Sequence, residues 1–262
     1  MFFGGIIKYT GYLLFSRHSS GHGIHSPFVF HLVSEVFRNK IEPGVVLLIE
    51  NIRKTLISDK TKTEVRDLGS GSLVSKSSIR RVCDITKYSS VPPRYGKLLY
   101  NLAANFGKPA IIEFGTAAGI STMYLASGRS DSEVYTMEGC PNLSEIAAGN
   151  FRKAGFTNIT QITGTFDDSV QEIKRRSIRP GLVFIDGNHR KEPVVKYFRE
   201  MADISYDGTV IVIDDIHLSG EMEEAWSEIR KSVNVSFTID IFRMGMVFFR
   251  KGMSRFDYVI RY

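Results

Sequence analysis

The chain has 262 residues, of which 43% are hydrophobic and 24% are charged, and a formal net charge of +6 at pH 7. This composition is typical of a folded globular protein and excludes the disordered and fibrous classes. The basic residues are scattered, and a basic balance without a concentrated patch usually describes a solvated surface, so we do not expect a nucleic-acid partner.

The first fifteen residues are apolar apart from Lys8 and a few polar side chains. The run is shorter than the roughly 20 apolar residues that span a bilayer, and no basic leader precedes it. We therefore predict a helix packed on the domain or on a partner, and no membrane span. The two cysteines, Cys83 and Cys140, lie far apart without metal-ligand spacing, which favours a reducing cytoplasm.

Residues 1–89 are predicted to form a helical segment in front of a larger domain at 90–262. Helical patterns cover Pro27–Asn39, Gly44–Asp59, Ser77–Tyr88 and, opening the larger domain, Pro92–Phe106. The turns between them are rich in glycine and serine, which break regular structure.

From about residue 110, short apolar runs alternate with helical patterns, which is typical of strand and helix units around a parallel sheet. We predict strands at 110–115, 133–138, 159–163, 182–186 and 209–214, with helices beginning near Gly119, Pro141, Asp167, Glu192 and Ser219. The runs VFID and VIVID are continuously apolar, so both should lie in the middle of the sheet with both faces covered.

Two further strands, 235–242 and 245–251, are separated by only two residues and therefore predict a hairpin with one antiparallel strand. The expected fold is α/β: a Rossmann-like, seven-stranded, mostly parallel sheet that finishes in a C-terminal antiparallel hairpin.

The sequence EFGTAAGIST (113–122) predicts a ligand-binding turn between a strand and a helix. Gly115 and Gly119 allow the backbone to turn sharply and to approach a ligand closely. Glu138 follows Gly119 by nineteen residues at the end of the next strand, where its carboxylate can accept hydrogen bonds from ribose hydroxyls. The pair predicts a nucleoside-binding site.

Two cofactors compete for this site. A dinucleotide fingerprint has three glycines and binds pyrophosphate at the helix N-terminus, whereas this loop has Ala118 in place of the middle glycine and Glu113 before the first. An anionic side chain repels pyrophosphate but suits a sulfonium and an ammonium, so we favour S-adenosylmethionine (SAM) over NAD.

Residues 90–251 resemble the class I O-methyltransferases related to catechol and caffeoyl-coenzyme A methyltransferases, most clearly in PPRYGKLLYNLAANFGKPAIIEFGTAAGISTMYLA (92–126). In that fold the seventh strand inserts antiparallel beside the fifth. The resemblance implies that Glu113 and Gly115 lie near the methionine part, that Glu138 holds the ribose, and that residues 165–167 flank the adenine. The cofactor-binding residues predicted on this basis are Glu113, Gly115, Thr116, Gly119, Glu138, Gly139, Thr165, Phe166 and Asp186.

A second glycine-rich string, RDLGSGS (66–72), imitates the same loop. It follows TKTEV rather than a buried strand, and no acid ends a second strand after it. We therefore do not expect this string to bind the cofactor. Its functional alternative is a loop over the active site.

Asp186, Asp214 and Asp215 follow the two central strands, whose carboxyl ends face the ligand crevice in open α/β folds. Three neighbouring carboxylates repel one another unless a cation neutralises them, and oxygen ligands suit Mg²⁺. In the metal-dependent relatives the corresponding positions hold the metal, which favours a divalent cation here that lowers the pKa of an acceptor hydroxyl. Alternatively, Asp186 contacts cofactor or substrate directly and Asp214 caps a helix.

His189 and Asp186 are the predicted catalytic residues, with His189 as a general base because histidine titrates near neutral pH. The metal-dependent family commonly has lysine at the position of His189. His217 is a second candidate base, and its alternative role is to pack on the helix that carries Trp226.

Four of the six histidines, His18, His22, His25 and His31, fall in a glycine-rich stretch without zinc spacing. We expect this stretch to fold over the acceptor pocket. The function predicted from all of these features is SAM-dependent O-methylation of a small-molecule acceptor. The sequence is also compatible with a homo-oligomer. The alternatives are an NAD- or nucleotide-sugar-binding enzyme and a non-catalytic SAM-binding protein.

Overall fold

The computed structural model describes residues 9–14, 16, 23–66 and 78–262. The fold is α/β with an eight-stranded, mostly parallel sheet, so the predicted class is confirmed. Internal contacts divide the chain into two compact units, Lys40–Leu182 (the middle unit) and Met1–Asn39 with Val183–Tyr262 (the terminal unit). The domain boundary after residue 89 stays a prediction.

The middle unit contains three parallel strands in the order β3-β4-β5 and the helices that connect them. Proline near the N-terminus of three helices suits a position whose N–H has no helical partner. The elements are α3 (Pro43–Ser58), β1 (Lys62–Glu64), β2 (Ile79–Arg81), α4 (Val82–Ser89), α5 (Pro93–Phe106), β3 (Ala110–Phe114), α6 (Ile120–Gly128), β4 (Glu133–Glu138), α7 (Pro141–Ala154), β5 (Ile159–Thr163) and α8 (Phe166–Arg175).

The terminal unit begins with a helical segment, α1 (9–14), and contains strands in the order β10-β8-β9-β7-β6. The other elements are α2 (Pro27–His31) with a π-helical turn (Leu32–Val36), β6 (Leu182–Ile185), α9 (Lys191–Asp203), β7 (Val210–Ile213), α10 (Gly220–Arg230), β8 (Phe237–Asp240), β9 (Gly245–Phe248) and β10 (Phe256–Val259). Its sheet therefore uses residues from the last third of the chain.

The hairpin prediction is confirmed in detail. Strand β9 runs antiparallel to both β7 and β8 and lies between them. All residues of β6, β7, β8 and β9 are buried, as expected for strands covered on both faces. Because β9 is antiparallel to both neighbours, β7 and β8 run parallel to each other, and their carboxyl ends lie at the same edge of the sheet.

Two short elements differ from the predictions. The sheet has an eighth strand, β10, which pairs parallel with β8 at the edge and leaves Phe256 55% exposed. A half-exposed edge strand lacks the apolar alternation by which strands are recognised. The helix predicted from Ser77 begins only at Val82, because Ile79–Arg81 pairs with Lys62–Glu64 as a two-stranded ribbon.

The segment before residue 90 packs tightly within the middle unit. The Tyr124 hydroxyl on α6 donates to Glu50 on α3 at 2.8 Å, and Arg53 donates to the Val91 carbonyl at 2.8 Å. Helix α3 is therefore part of the same packed unit as the glycine loop. Over the ranges that the structure describes, no helix is long and apolar enough to cross a membrane.

Candidate active site

The glycine loop lies between β3 and α6, as predicted. Gly115 and Gly119 have φ of 93° and 83°, the left-handed region that only glycine adopts without strain. A Cβ on Gly119 would lie 2.4 Å from the Phe151 ring. Ala117 has φ of 45°, a strained conformation of the kind that concentrates at functional sites. The loop thus needs glycine for both its backbone conformation and its packing.

Glu138 holds this loop from the neighbouring strand. Its Oε2 accepts a hydrogen bond from the Ala117 amide and its Oε1 from the Cys140 amide, both at 2.9 Å. Each carboxylate oxygen has a second lone pair, and the side chain is only half-buried. The structure therefore places Glu138 against the glycine loop, and Gly139 lies between it and the start of α7; the ribose contact stays a prediction.

Glu113 lies beneath the loop and is fully buried. Its Oε2 accepts from the hydroxyls of Thr122 and Thr136, and Thr136 is 2.6 Å from the Thr116 hydroxyl. Burial raises the pKa of Glu113 to about 7, although hydrogen bonds from neighbouring hydroxyls oppose the shift. In this arrangement Glu113 braces the loop from below, and its contact with a methionine moiety stays a prediction.

The predicted adenine flank follows β5. The Thr165 hydroxyl caps α8 by accepting from the Asp168 amide at 3.1 Å. Phe166 is half-buried, and its ring meets Phe114 edge to face at a centroid distance of 5.4 Å. Because Phe114 ends β3 and leads into the glycine loop, Phe166 offers an apolar surface beside that loop.

In the terminal unit, Asp186 and Asp214 follow β6 and β7, as the strand predictions imply. Asp214 is completely buried. Its carboxylate is bound bidentately by Arg243, with Nε 2.9 Å from Oδ1 and Nη2 2.6 Å from Oδ2. The same Nη2 lies 3.6 Å from Asp215. A guanidinium therefore compensates Asp214, one of the three carboxylates that were predicted to require a metal ion.

This pairing shapes the electrostatics of the site. Burial and the neighbouring Asp215 raise the pKa of Asp214 to about 6, whereas Arg243 lowers it. Burial alone would lower the pKa of Arg243, but the attraction of Asp214, Asp215 and Asp186 outweighs burial and raises it. Arg243 is therefore a permanent positive charge at the carboxyl edge of β6 and β7.

The predicted joint metal site of Asp186, Asp214 and Asp215 does not fit this geometry. Within residues 9–14, 16, 23–66 and 78–262, no three His, Cys, Asp or Glu side chains come together in a group that could hold a metal ion. The physical reason is that both oxygens of Asp214 face Arg243. Because Arg243 holds this carboxylate bidentately, a metal ion on the same oxygens would lie beside a permanent positive charge and be repelled by it.

Sequence reasoning missed Arg243, which lies in the β8–β9 turn, 29 residues after Asp214. The available signal was the hairpin itself. Since β9 was expected to insert beside the strand that ends in Asp214, a cation in the hairpin turn can reach that aspartate.

His189 lies near Asp186, with Nε2 3.7 Å from Oδ1. Burial lowers the pKa of His189, Arg243 lowers it further, and Asp215 opposes the shift. Near pH 7 the imidazole is therefore neutral and able to accept a proton, as a general base requires. The preceding Asn188 has φ of 55°, a second strained position at a strand end.

His217 is a weaker candidate base. Its Nε2 is 2.8 Å from Asp240 and its Nδ1 3.3 Å from Glu223. Burial alone would lower the pKa of His217, but these two carboxylates outweigh burial and raise it. Its ring also stacks on Phe242 at a centroid distance of 5.3 Å, which indicates a structural ion pair.

The histidine-rich stretch is described in part. His18 and His22 lie outside the described residues, as does most of the imitating loop 66–72. His25 and His31 are exposed, and His31 ends α2. The α1 segment packs on the end of β8, where Tyr9 and Tyr12 meet Phe242 at centroid distances of 5.0 and 5.1 Å. The α1 segment thus reaches the carboxyl edge of the terminal-unit sheet.

Comparison with known proteins points to one family. A family model described as a methyltransferase domain matches residues 112–216. A catechol O-methyltransferase of Niastella koreensis is 33% identical over 136 residues, covering 51% of this chain and 61% of the relative. A protein of Mycolicibacterium smegmatis named as an O-methyltransferase is 30% identical over 152 residues, covering 57% of this chain and 70% of the relative. The chain spans about 60% of the first curated relatives that it matches.

Solved structures agree on the fold. An O-methyltransferase from Bacillus cereus in complex with S-adenosylhomocysteine (SAH) superimposes with a TM-score of 0.59 at 20% identity, covering 80% of this chain and 93% of that one. An O-methyltransferase of tomaymycin synthesis from Streptomyces achromogenes, in complex with SAM, gives a TM-score of 0.56 at 23% identity, covering 62% and 82%. The chain belongs to the class I SAM-dependent O-methyltransferase family.

Proposed function

We propose that this protein transfers the methyl group of SAM to a hydroxyl oxygen of a small-molecule acceptor. The observation that carries the proposal is Glu138, whose carboxylate is held by backbone amides of the glycine loop and of Cys140. That arrangement presents the remaining lone pairs to a ribose, as a nucleoside cofactor requires. The family to which the chain belongs and the SAM and SAH complexes of proteins with its fold support SAM as the nucleoside.

The glycine loop and the two glutamates near it in the middle unit suit a cationic methyl donor. Glu113 and Glu138 are both acidic, and no pyrophosphate-binding third glycine is present in the loop (Gly115–Gly119). Bound SAM supplies an electrophilic methyl group on a sulfonium. Gly115, Thr116 and Gly119 would let the backbone approach it, and Phe166 would pack on the adenine.

His189 is the residue that we propose removes the acceptor proton. Its neutral imidazole accepts that proton as the acceptor oxygen forms its bond to the methyl carbon and the sulfur–carbon bond breaks, leaving a neutral thioether. The proton then passes from His189 to solvent. Asp186, 3.7 Å from His189, stabilises the imidazolium that forms. Because the carboxylates do not fit a metal ion, no step is assigned to one.

Isothermal titration calorimetry with SAM, SAH and NAD tests the cofactor. We expect SAM and SAH to bind and NAD to bind far more weakly. Tighter binding of NAD would overturn the proposal in favour of an oxidoreductase.

Turnover separates an enzyme from a SAM-binding protein. With catechol as a probe acceptor, chosen from the name of a relative, we expect His189→Ala to lower kcat by about 10²-fold or more, the range for a general base, with unchanged SAM affinity. The control is His31→Ala, an exposed histidine, which should leave kcat unchanged. Equal loss in both variants would contradict the role of His189.

The setting of the reaction is part of the proposal. Cys83 and Cys140 are both free thiols, which supports a cytoplasmic location. The acceptor is proposed as a small molecule because the relatives named for a substrate act on catechol.

A further inference from the structure

Arg243 is placed by an ordered turn between β8 and β9. Phe242 adopts a left-handed conformation with φ of 71°, and its amide donates to the Asp240 side chain at 2.8 Å. A bulky aromatic residue in this conformation is strained, so the surrounding contacts must hold it there. Tyr9, Tyr12 and His217 all pack against its ring. The turn that carries Arg243 is therefore held in one conformation by its packing.

Arg243 is tied to the turn after β7 by both its side chain and its backbone. The guanidinium binds Asp214 bidentately, and the Arg243 carbonyl accepts from the Ile216 amide at 3.1 Å. Between these two attachments lies Asp215, with φ of 54°. Two independent attachments on either side of a strained residue hold the segment 214–216 in one geometry.

Arg243 supplies a positive charge to this edge from within the chain. Asp214 is 0% exposed, and its negative charge is compensated at hydrogen-bond distance by a guanidinium that is 28% exposed. Asp215 lies 3.6 Å from the same guanidinium. Turning Asp214 toward a metal ion would break the bidentate pair of a partly buried cation and place two cations side by side, which is strongly unfavourable.

From this geometry we infer that Arg243 is the internal cation of the Asp186, Asp214 and Asp215 cluster and takes the place of a divalent metal ion there. Arg243 is a positioning residue: it holds the Asp214–Asp215 turn that a metal would otherwise organise. Methyl transfer by this chain then proceeds without a divalent cation. The statement about methyl transfer rests on the proposed function. The statement that no divalent cation binds rests only on the ion pair between Arg243 and Asp214.

Electron paramagnetic resonance of Mn²⁺ tests the inference on the full chain, using the metal alone as probe. We expect equimolar wild-type protein to leave the signal of free Mn²⁺ undiminished. A loss of that signal in wild type that Asp214→Asn abolishes would overturn the inference, because Asp214 would then be a metal ligand. Calorimetry with SAM on the same sample reports the proposed function separately, so each can fail alone.

Thermal unfolding of Arg243 variants tests the positioning role. We expect Arg243→Met to melt well below wild type, and Arg243→Lys between them, because lysine keeps the charge but not the bidentate geometry. The double variant Asp214→Asn/Arg243→Met, which removes both charges, should melt above Arg243→Met. If Arg243→Met does not fold, the melting temperature of the double variant still tests whether removing both charges restores stability. A double variant that is also unfolded, or single variants that melt like wild type, would overturn the inference.

A methyl-transfer assay in EDTA tests the proposed function and the absence of a metal requirement together. With an acceptor that is turned over, we expect equal rates in EDTA and in Mg²⁺. A rate that falls in EDTA and returns with Mg²⁺ would overturn the inference while leaving the methyltransferase proposal intact.

Discussion

The two units hold the carboxylates at their strand ends in different ways. In the middle unit, Glu138 accepts hydrogen bonds from two neutral backbone amides. In the terminal unit, Asp214 uses both oxygens on one guanidinium inside the same unit. The comparison teaches that a carboxylate at the end of a strand is suited to a polar ligand where neutral backbone groups hold it. Where a cation of the chain reaches it, the carboxylate is structural.

The largest expected effect comes from breaking the ion pair of the terminal unit. Arg243→Met leaves Asp214 buried and uncompensated, so we expect the free energy of unfolding to fall by about 3 to 5 kcal/mol. Urea denaturation measures this change. The matched control is Arg199→Met, which removes an exposed partner of Glu228 and should cost no more than about 1 kcal/mol. Similar losses in both variants would show that the Asp214–Arg243 pair stabilises the fold no more than an exposed ion pair does.

The next effect falls on the glycine loop. Gly119→Ala introduces a Cβ 2.4 Å from the Phe151 ring at φ of 83°, so we expect it to cost about 1 to 3 kcal/mol of stability and to abolish SAM binding. Denaturation and calorimetry measure the two effects.

Gly149→Ala is the control for that substitution, because a Cβ at this helical position meets nothing within 4 Å. It should stabilise the protein by up to about 1 kcal/mol through helix propensity. A Gly119→Ala variant that binds SAM like wild type would show that the loop does not approach the cofactor.

Glu138→Ala tests the carboxylate of the middle unit. Removing it leaves ribose hydroxyls and loop amides without partners, so SAM binding should weaken by about 1 to 3 kcal/mol, measured by calorimetry. Glu145→Ala, an exposed glutamate on α7, is the matched control and should leave affinity unchanged. Unchanged affinity in Glu138→Ala would move the ribose away from this residue.

The smallest effect concerns Glu113 and pH. Its pKa is about 7 in the folded protein against an ordinary value of 4.5, so folding takes up a proton between these pH values. The stability that protonated Glu113 contributes is fully present below pH 4.5 and is lost as the pH rises through 7.

Glu113→Gln stays neutral at every pH and keeps an oxygen acceptor for the threonine hydroxyls. Relative to wild type it should therefore gain about 1 to 2 kcal/mol in free energy of unfolding between pH 5 and pH 8, measured by urea denaturation. A difference between the two proteins that does not change with pH would place the titration elsewhere.

The sequence predicted the parts of the fold that depend on local pattern. Continuous apolar runs located β6 and β7, and glycine spacing located the loop that meets Glu138. The β8–β9 hairpin followed from the two residues between its predicted strands, because so short a connection must reverse the chain.

The features that sequence reasoning missed depend on contacts distant in sequence. Strand β10 is recognisable only by its pairing with β8, and β2 only by its pairing with β1. The Asp214–Arg243 pair exists because β9 lies beside β7, and although the resemblance implied that neighbour, no local pattern indicates which side chain of the turn reaches the aspartate. The three aspartates were therefore located correctly on the strands, but their partner was not.

The most direct test of the central claim is mass spectrometry of an acceptor incubated with the protein and methyl-labelled SAM. A panel of small phenols and alcohols, catechol among them, would be assayed in EDTA. The account predicts a product heavier by one labelled methyl group on oxygen, together with SAH in equal amount, and loss of both with Glu138→Ala. Binding of SAM without any methylated product or SAH across the panel would contradict it and show a protein that binds the nucleoside without transferring the methyl group.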